Sequence, residues 1–126
     1  MIYGVGIDMV EVSRVKRSLS KYSERFEKKV FTFYEIEYCR KKADPDIHFA
    51  ARFAVKEAAL KSIGMGISGG IGWKDIEVVN DTDSGRPSLN ISGRAKEVCD
   101  SLGLKVIHIS ISHDAGFAIA QAIAER

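Results

Sequence analysis

The chain of 126 residues contains only two prolines and two cysteines. No apolar run approaches the roughly 20 residues needed to span a bilayer, so no membrane is expected as a partner. Few prolines together with 45% hydrophobic residues exclude a disordered or collagen-like chain. Cys39 and Cys99 match neither a zinc spacing nor a disulfide framework. Both are expected to be buried small hydrophobes in a reduced, cytoplasmic protein. The N-terminus, Met1-Ile2-Tyr3-Gly4, lacks the basic and apolar regions of a secretory signal. An excess of one charge sign is also missing. Nineteen Lys+Arg against 17 Asp+Glu leave +2, which argues against a generic nucleic-acid binder. The length suits one domain, 1–126, and is too short for two independent cores.

What is present is periodicity that switches along the chain. Tyr3, Val5, Ile7 and Met9 alternate with Gly4, Gly6 and Asp8. This predicts a first strand with Asp8 near its C-terminal end, on the face opposite the bulky residues. The glycines leave room there for a ligand or another backbone. From about Ser13 the period becomes helical. Val12, Val15, Leu19, Tyr22 and Phe26 form an apolar docking stripe, and Arg14, Arg17, Lys21, Arg25 and Lys28 a basic stripe opposite it. Thr32 and Glu35 have capping-box spacing, predicting a second helix to about Lys42. Pro45-Asp46 signals a third helix over about 47–63, with Asp46 as N-cap and Gly64 at C′.

A glycine-rich loop, Gly64 to Gly72, leads to a strand predicted over 73–79 and a polar turn, Asn80 to Pro87. A returning strand over 88–91 follows. Ser92 is the expected cap of a helix to about Leu102, ended by Gly103. A β-branched strand over 104–112, a turn at His113-Asp114-Ala115-Gly116 and a last strand over 117–124 close the chain as a hairpin. The expected fold is α+β: a small, mainly antiparallel sheet packed with helices.

The third helix departs from ordinary amphipathicity. Phe49, Phe53 and Leu60 form one stripe; Ala54, Val55 and Ala58 form a second on roughly the other side. Glu57 and Lys61 lie on one edge between them, at i, i+4, and Arg52 and Lys56 on the other. Charges in the gaps of a helix packed on two sides are costly unless they are paired or hold a ligand. Glu57–Lys61 reads either as a helix pair or as part of a site. The like-charged Arg52–Lys56 pair points to an anionic ligand.

Three segments carry a family resemblance: Gly6-Ile7-Asp8, Phe53-Ala-Val-Lys56-Glu57-Ala-Ala-Leu-Lys61, and Ser110-Ile-Ser112-His113-Asp114. In this order, in a chain of this length, with a basic first helix and Phe31-Thr32…Glu35…Tyr38 between them, they resemble the holo-acyl-carrier-protein synthases. These are the short, single-domain class of 4′-phosphopantetheinyl transferases. The resemblance covers nearly the whole chain. It implies transfer of 4′-phosphopantetheine from coenzyme A to a serine of apo-acyl carrier protein in fatty acid biosynthesis. Adenosine 3′,5′-bisphosphate is the second product and magnesium is required. It also implies a homotrimer with active sites at subunit interfaces.

Attack on a pyrophosphate phosphorus needs a hard cation, positive groups for developing charge and a proton acceptor. The resemblance places Asp8 and Glu57 on magnesium, consistent with the preference of Mg²⁺ for one or two carboxylates plus phosphates and water. It places Lys61 on the pyrophosphate, and Arg52 and Lys56 as further contacts to coenzyme A phosphates. His113 is expected at a phosphate, donated from a neighbouring subunit, with a general-base role as an alternative. Glu57, a metal-bound water and His113 are all candidates for the proton acceptor. Gly64 and the rest of its loop, with Gly85-Arg86-Pro87, would border the coenzyme A pocket; a plain sharp connection fits the glycine loop equally. Arg14, Arg17, Lys21 and Arg25 would meet the acidic surface of the carrier protein. Two other readings are a non-catalytic module that engages an acidic protein or nucleic acid through the basic helix, and a magnesium-dependent nucleotide hydrolase. The first leaves Asp8, Glu57 and Lys61 unexplained; the second leaves the basic stripe without a use.

Overall fold

The computed structural model describes the backbone of all 126 residues and every side chain except those of Ser23 and Ser68. Strand β1 (Ile2–Glu11) is followed by helices α1 (Val12–Val30), α2 (Phe33–Arg40) and α3 (Pro45–Ser62). The hairpin β2 (Ile76–Asn80) and β3 (Pro87–Ile91), helix α4 (Gly93–Ser101) and the hairpin β4 (Val106–Asp114) and β5 (Phe117–Glu125) complete the chain. One antiparallel sheet has the order β1-β5-β4, and β2-β3 forms a second. The architecture is α+β, as expected.

Helix α3 lies on one face of the three-stranded sheet, and small residues let it come close. In register, Gly4, Gly6, Asp8 and Val10 of β1 face the same way as Ala124, Ala122, Ala120 and Ala118 of β5. The four alanines are fully buried, as are Ala54 and Ala58 of α3. A methyl group added at Gly6 would overlap the carbonyl oxygen of Ala58, and one at Gly4 that of Ser62. The room at Gly4 and Gly6 is thus taken by another backbone, one of the two expected occupants.

The bulky alternate residues of β1 point outward. Val5 is 55%, Ile7 60% and Met9 61% exposed, on the face they share with Ile119 and Ile123 of β5. This inverts the usual half-buried strand, in which large apolar side chains face the core.

Several helix ends follow their sequence signals. Thr32 and Glu35 form a reciprocal capping box. Helix α3 closes in a Schellman motif: Gly64 N–H donates to Lys61 O and Met65 N–H to Leu60 O, with Gly64 at φ +71°. Helix α4 repeats it with Gly103 and Leu104. Other ends differ. Asp44, not Asp46, occupies the N-cap of α3, because Pro45 takes N1, where its missing N–H costs nothing. Residues Trp73–Asp75 form a 3₁₀ turn before β2, which frees the Asp75 carboxylate to accept from Gly72 N–H (3.1 Å) and Ala95 N–H (3.4 Å). Asp75 therefore supplies the capping contact at α4 expected of Ser92, whose side chain makes no such bond. The last hairpin turns on Ala115-Gly116 alone, with both φ positive. His113 and Asp114 belong to β4 rather than to the turn.

Lys56 and Glu35 lock α3 to α2 and β2. Both side chains are fully buried. Lys56 Nζ donates to Glu35 Oε1 (2.8 Å), Trp73 O (3.0 Å) and Ile76 O (2.6 Å). Glu35 also accepts from Thr32 N–H (2.9 Å) and Val78 N–H (2.8 Å). Burial, and less strongly the nearby Arg52, pull the Lys56 pKa down, and the Glu35 carboxylate opposes them. All three ammonium protons have acceptors, the condition under which a buried charge is tolerable.

Candidate active site

Helix α3 has a functional edge on each side. On one, Glu57 meets Asp8 of β1. Lys61 turns toward the strand, not toward Glu57: its Nζ donates to Asp8 Oδ1 (3.0 Å) and to Ile7 O (3.0 Å). Asp8 Oδ2 is buried without a hydrogen-bond partner. Glu57 has its pKa raised, first by partial burial and then by the adjacent Asp8 carboxylate; Lys61 and Arg14 oppose the shift. A proton on Glu57 would lie between the two carboxyl groups. When both are ionised, Asp8 Oδ2 stands unpaired against a second negative charge. A divalent cation relieves that arrangement, so this donor set fits magnesium.

Asp8 and Glu57 open into a cavity of about 650 Å³. Its other wall is the basic face of α1, with Arg14, Arg17 and Lys21 lining it, and Phe26, Phe53 and Tyr22 supply apolar surface. The carboxylate pair and the basic stripe, distant in sequence, thus share one concavity. Arg25 is exposed but does not line it. Tyr22, expected on the docking stripe, is half-exposed instead.

The other edge of α3 faces a second cavity, of about 470 Å³. Arg52 lines it, with His48 one turn earlier, Gly85-Arg86-Pro87 of the β2–β3 turn, Asn80, Tyr38 and His113 of β4. Arg52 is 2% exposed. Its Nη2 donates to Asn80 Oδ1 (2.5 Å), its guanidinium lies 4.0 Å from the Tyr38 ring centroid, and its Nε has no partner. A buried cation held only by neutral groups is a ready anion site.

The profile of the 4′-phosphopantetheinyl transferase superfamily matches residues 4–122. The chain belongs to this superfamily. It is similar to the holo-[acyl-carrier-protein] synthase of Syntrophus aciditrophicus, with 51% identity over 99% of this chain and 97% of that one. It is also similar to that of Geobacter sp. strain M21, with 45% identity over the whole of both. Among solved structures, it resembles the holo-[acyl-carrier-protein] synthase of Neisseria meningitidis (TM-score 0.91, 28% identity, all of both chains covered). It also resembles that of Helicobacter pylori in complex with coenzyme A (TM-score 0.84, 30% identity, covering 96% of this chain and 99% of that one).

In this member of the superfamily, one chain does not bring all the expected residues together. Asp8 and Glu57 line the first cavity, with Lys61 bonded to Asp8 beside it. Arg52, Gly85, Arg86, Pro87 and His113 line the second. Asp8 and His113 lie on the two outer strands of the sheet, separated by β5. Lys56 reaches neither cavity. Its three internal acceptors correct the expectation that it would bind coenzyme A phosphates. Gly64 also lines neither; its positive φ serves the end of α3. The sequence reading missed His48, Tyr38 and Asn80. His48 had a signal, being four residues before Arg52 on the same helix edge.

Proposed function

We propose that the chain transfers the 4′-phosphopantetheine group of coenzyme A to a serine hydroxyl of an apo-acyl carrier protein, for fatty acid biosynthesis. The serine oxygen forms a bond to the phosphorus bearing pantetheine. The pyrophosphate P–O bond breaks, and adenosine 3′,5′-bisphosphate leaves. The observation that carries this reading is the meeting of Asp8 and Glu57 with the basic face of α1 in one cavity. A pyrophosphate needs the first, and an acidic carrier protein fits the second. The similarity to proteins named holo-[acyl-carrier-protein] synthase supports both. Residues 1–126 then act as one domain; its two buried clusters are joined through Val10, Trp73 and Ile111, which pack against both.

Asp8 and Glu57 would hold the magnesium ion. When bound, it would neutralise phosphate charge and favour departure of the leaving group. Lys61 spends two of its three protons on Asp8 and Ile7, leaving one for a phosphate oxygen. Glu57, the carboxylate that lines this cavity beside Asp8, is the acceptor it offers for the serine proton. Arg14, Arg17 and Lys21 orient the carrier protein, with Arg25 extending the same face.

The half-site at Arg52, Arg86 and His113 would receive coenzyme A phosphates. For both halves to meet one substrate, the cavities of different subunits must adjoin. The exposed Val5, Ile7 and Met9, with the half-buried Ile119 and Ile123 on the same face, support a homotrimer that buries it, because an isolated chain gains nothing from exposing so much apolar surface. The cytoplasm is the proposed location. Among the described residues no helix is long and apolar enough to cross a membrane, and Cys39 and Cys99 are free and buried.

Intact-mass spectrometry of apo-carrier protein incubated with the chain, coenzyme A and Mg²⁺ tests the reaction. A gain of one phosphopantetheine, abolished by a chelator, is expected. Unchanged carrier mass across several carrier proteins, with coenzyme A bound, would reject the assignment.

A further inference from the structure

The second cavity holds more cationic groups than the phosphate reading of Arg52 and His113 uses. Its lining includes Arg52, Arg86, His113 and His48, and none of its lining residues is an Asp or Glu. From this geometry we infer that His48 is a proton-uptake residue of the coenzyme A site: the imidazole is neutral in the empty cavity and becomes cationic when a phosphate enters. The inference rests on the proposed binding of coenzyme A in this cavity.

The surroundings of His48 come from every element packed around it. On α3, Arg52 lies one turn on, and Asp44 occupies the N-cap. At the end of α2 stand Tyr38 and Lys42, and from β4 comes His113. Partial burial, Arg52, Lys42 and His113 all disfavour the imidazolium; Asp44 alone opposes them, as the smallest influence. The Tyr38 ring organises this group. Its centroid lies 4.0 Å from the Arg52 guanidinium, 4.5 Å from Lys42 Nζ and 6.0 Å from the His48 ring, which meets it edge-on. One π-system thus supports two positive groups that would otherwise repel each other. The buried Arg52 Nε has no hydrogen-bond partner, so this guanidinium keeps a donor for an anion.

A phosphate monoester carries about −1.5 to −2 charges at neutral pH. Placed among these groups, it reverses the field at His48. The proton comes from the solvent and goes to the imidazole, and no bond of the ligand changes. A neutral His48 avoids adding a further cation to an empty and already repulsive cavity. A charged His48 adds a contact when the ligand is present. Each unit by which the ligand raises the His48 pKa is about a tenfold gain in affinity across the titration range.

The test is calorimetric titration of the full chain with coenzyme A between pH 6 and 8, in two buffers of different ionisation heat, for wild type and His48→Gln. The wild type should take up more protons than the variant. Its affinity should rise by about tenfold more toward pH 6, with near-equal affinities at pH 8. Repeating the titration with 3′-dephospho-coenzyme A distinguishes the 3′-phosphate from the pyrophosphate as the partner. Equal proton uptake in both proteins would overturn the inference, as would an affinity loss in His48→Gln that is constant with pH. If wild type fails to bind coenzyme A at all, the proposed function falls and this inference with it. Should His48→Gln not fold, imidazole titration by NMR in the wild type replaces it. The chain has three histidines, so assignment is tractable. The His48 pKa must rise on adding adenosine 3′,5′-bisphosphate; no rise rejects the inference.

Discussion

Gly6→Ala is the smallest change that reaches the site through packing. The added methyl would overlap Ala58 O and sit 2.8 Å from Ser62 N and 2.9 Å from Lys61 Cβ. The obstacles are backbone atoms and the root of a side chain, so rotamer changes cannot remove them. Helix α3 must retreat from β1 by roughly 1 Å to restore ordinary van der Waals separation. Overpacking of this kind costs about 1–3 kcal/mol, or a thermal midpoint lower by roughly 3–12 °C in a chain of this size. The same retreat separates Asp8 on β1 from Glu57 and Lys61 on α3, whose Nζ–Oδ1 contact is 3.0 Å. A displacement of that order at reacting groups lowers turnover by about a hundredfold. Gly103→Ala is the control. Unlike Gly6, Gly103 has a positive φ, +71°, and nothing lies within 4 Å of an added methyl. It should cost about 1–2 kcal/mol of backbone strain and leave transfer unchanged. Thermal unfolding and carrier-protein mass read both outcomes. If Gly6→Ala matched Gly103→Ala in activity, the close approach of α3 to β1 would not be what sets the site.

Three further outcomes are expected. Glu57 has a raised pKa in the folded chain, so its contribution to stability is full below the unfolded value near 4.5 and is lost as pH rises through the folded value. In chelator at pH 7, Glu57→Gln should therefore raise the thermal midpoint, yet abolish both transfer and stabilisation by Mg²⁺; a lowered midpoint in chelator would contradict this. Lys56→Met leaves the Glu35 carboxylate buried without its cation and should cost about 3–5 kcal/mol in urea unfolding, and a loss below about 1 kcal/mol would show that the pair is dispensable. Arg17→Glu should slow association with the carrier protein, more so at low salt, without changing coenzyme A affinity; equal losses for both ligands would remove α1 as the docking face.

Much of the fold was legible because local signals were chemically explicit. The Thr32–Glu35 box and Gly64 and Gly103 at helix ends act through neighbouring backbone groups, so a few residues suffice to read them. The candidate site was suggested by three short motifs, but their partition between two cavities was not. Lys56 and Lys61 look alike in sequence. Lys56 is consumed by Glu35, from another helix, and two backbone carbonyls, whereas Lys61 bonds Asp8, on a strand, and keeps a free proton. Only the tertiary packing distinguishes them. The capping of α4 by Asp75 was hidden for the same reason. The glycines of β1 left two readings open, a ligand or another backbone, and only the packing of α3 decides between them. Alternation shows that two faces differ, and glycines opposite bulky residues normally mark the solvent side. Here they mark the close approach of a helix.

The central claim is that one chain holds two half-sites that combine only between subunits. Mixing Glu57→Gln and His113→Ala chains, each inactive alone, tests this directly after subunit exchange. Equal mixing in a cyclic trimer leaves about one quarter of the interfaces with both halves intact, so about a quarter of wild-type transfer should return. If none returns although mixed trimers form, each chain works alone and the account is wrong.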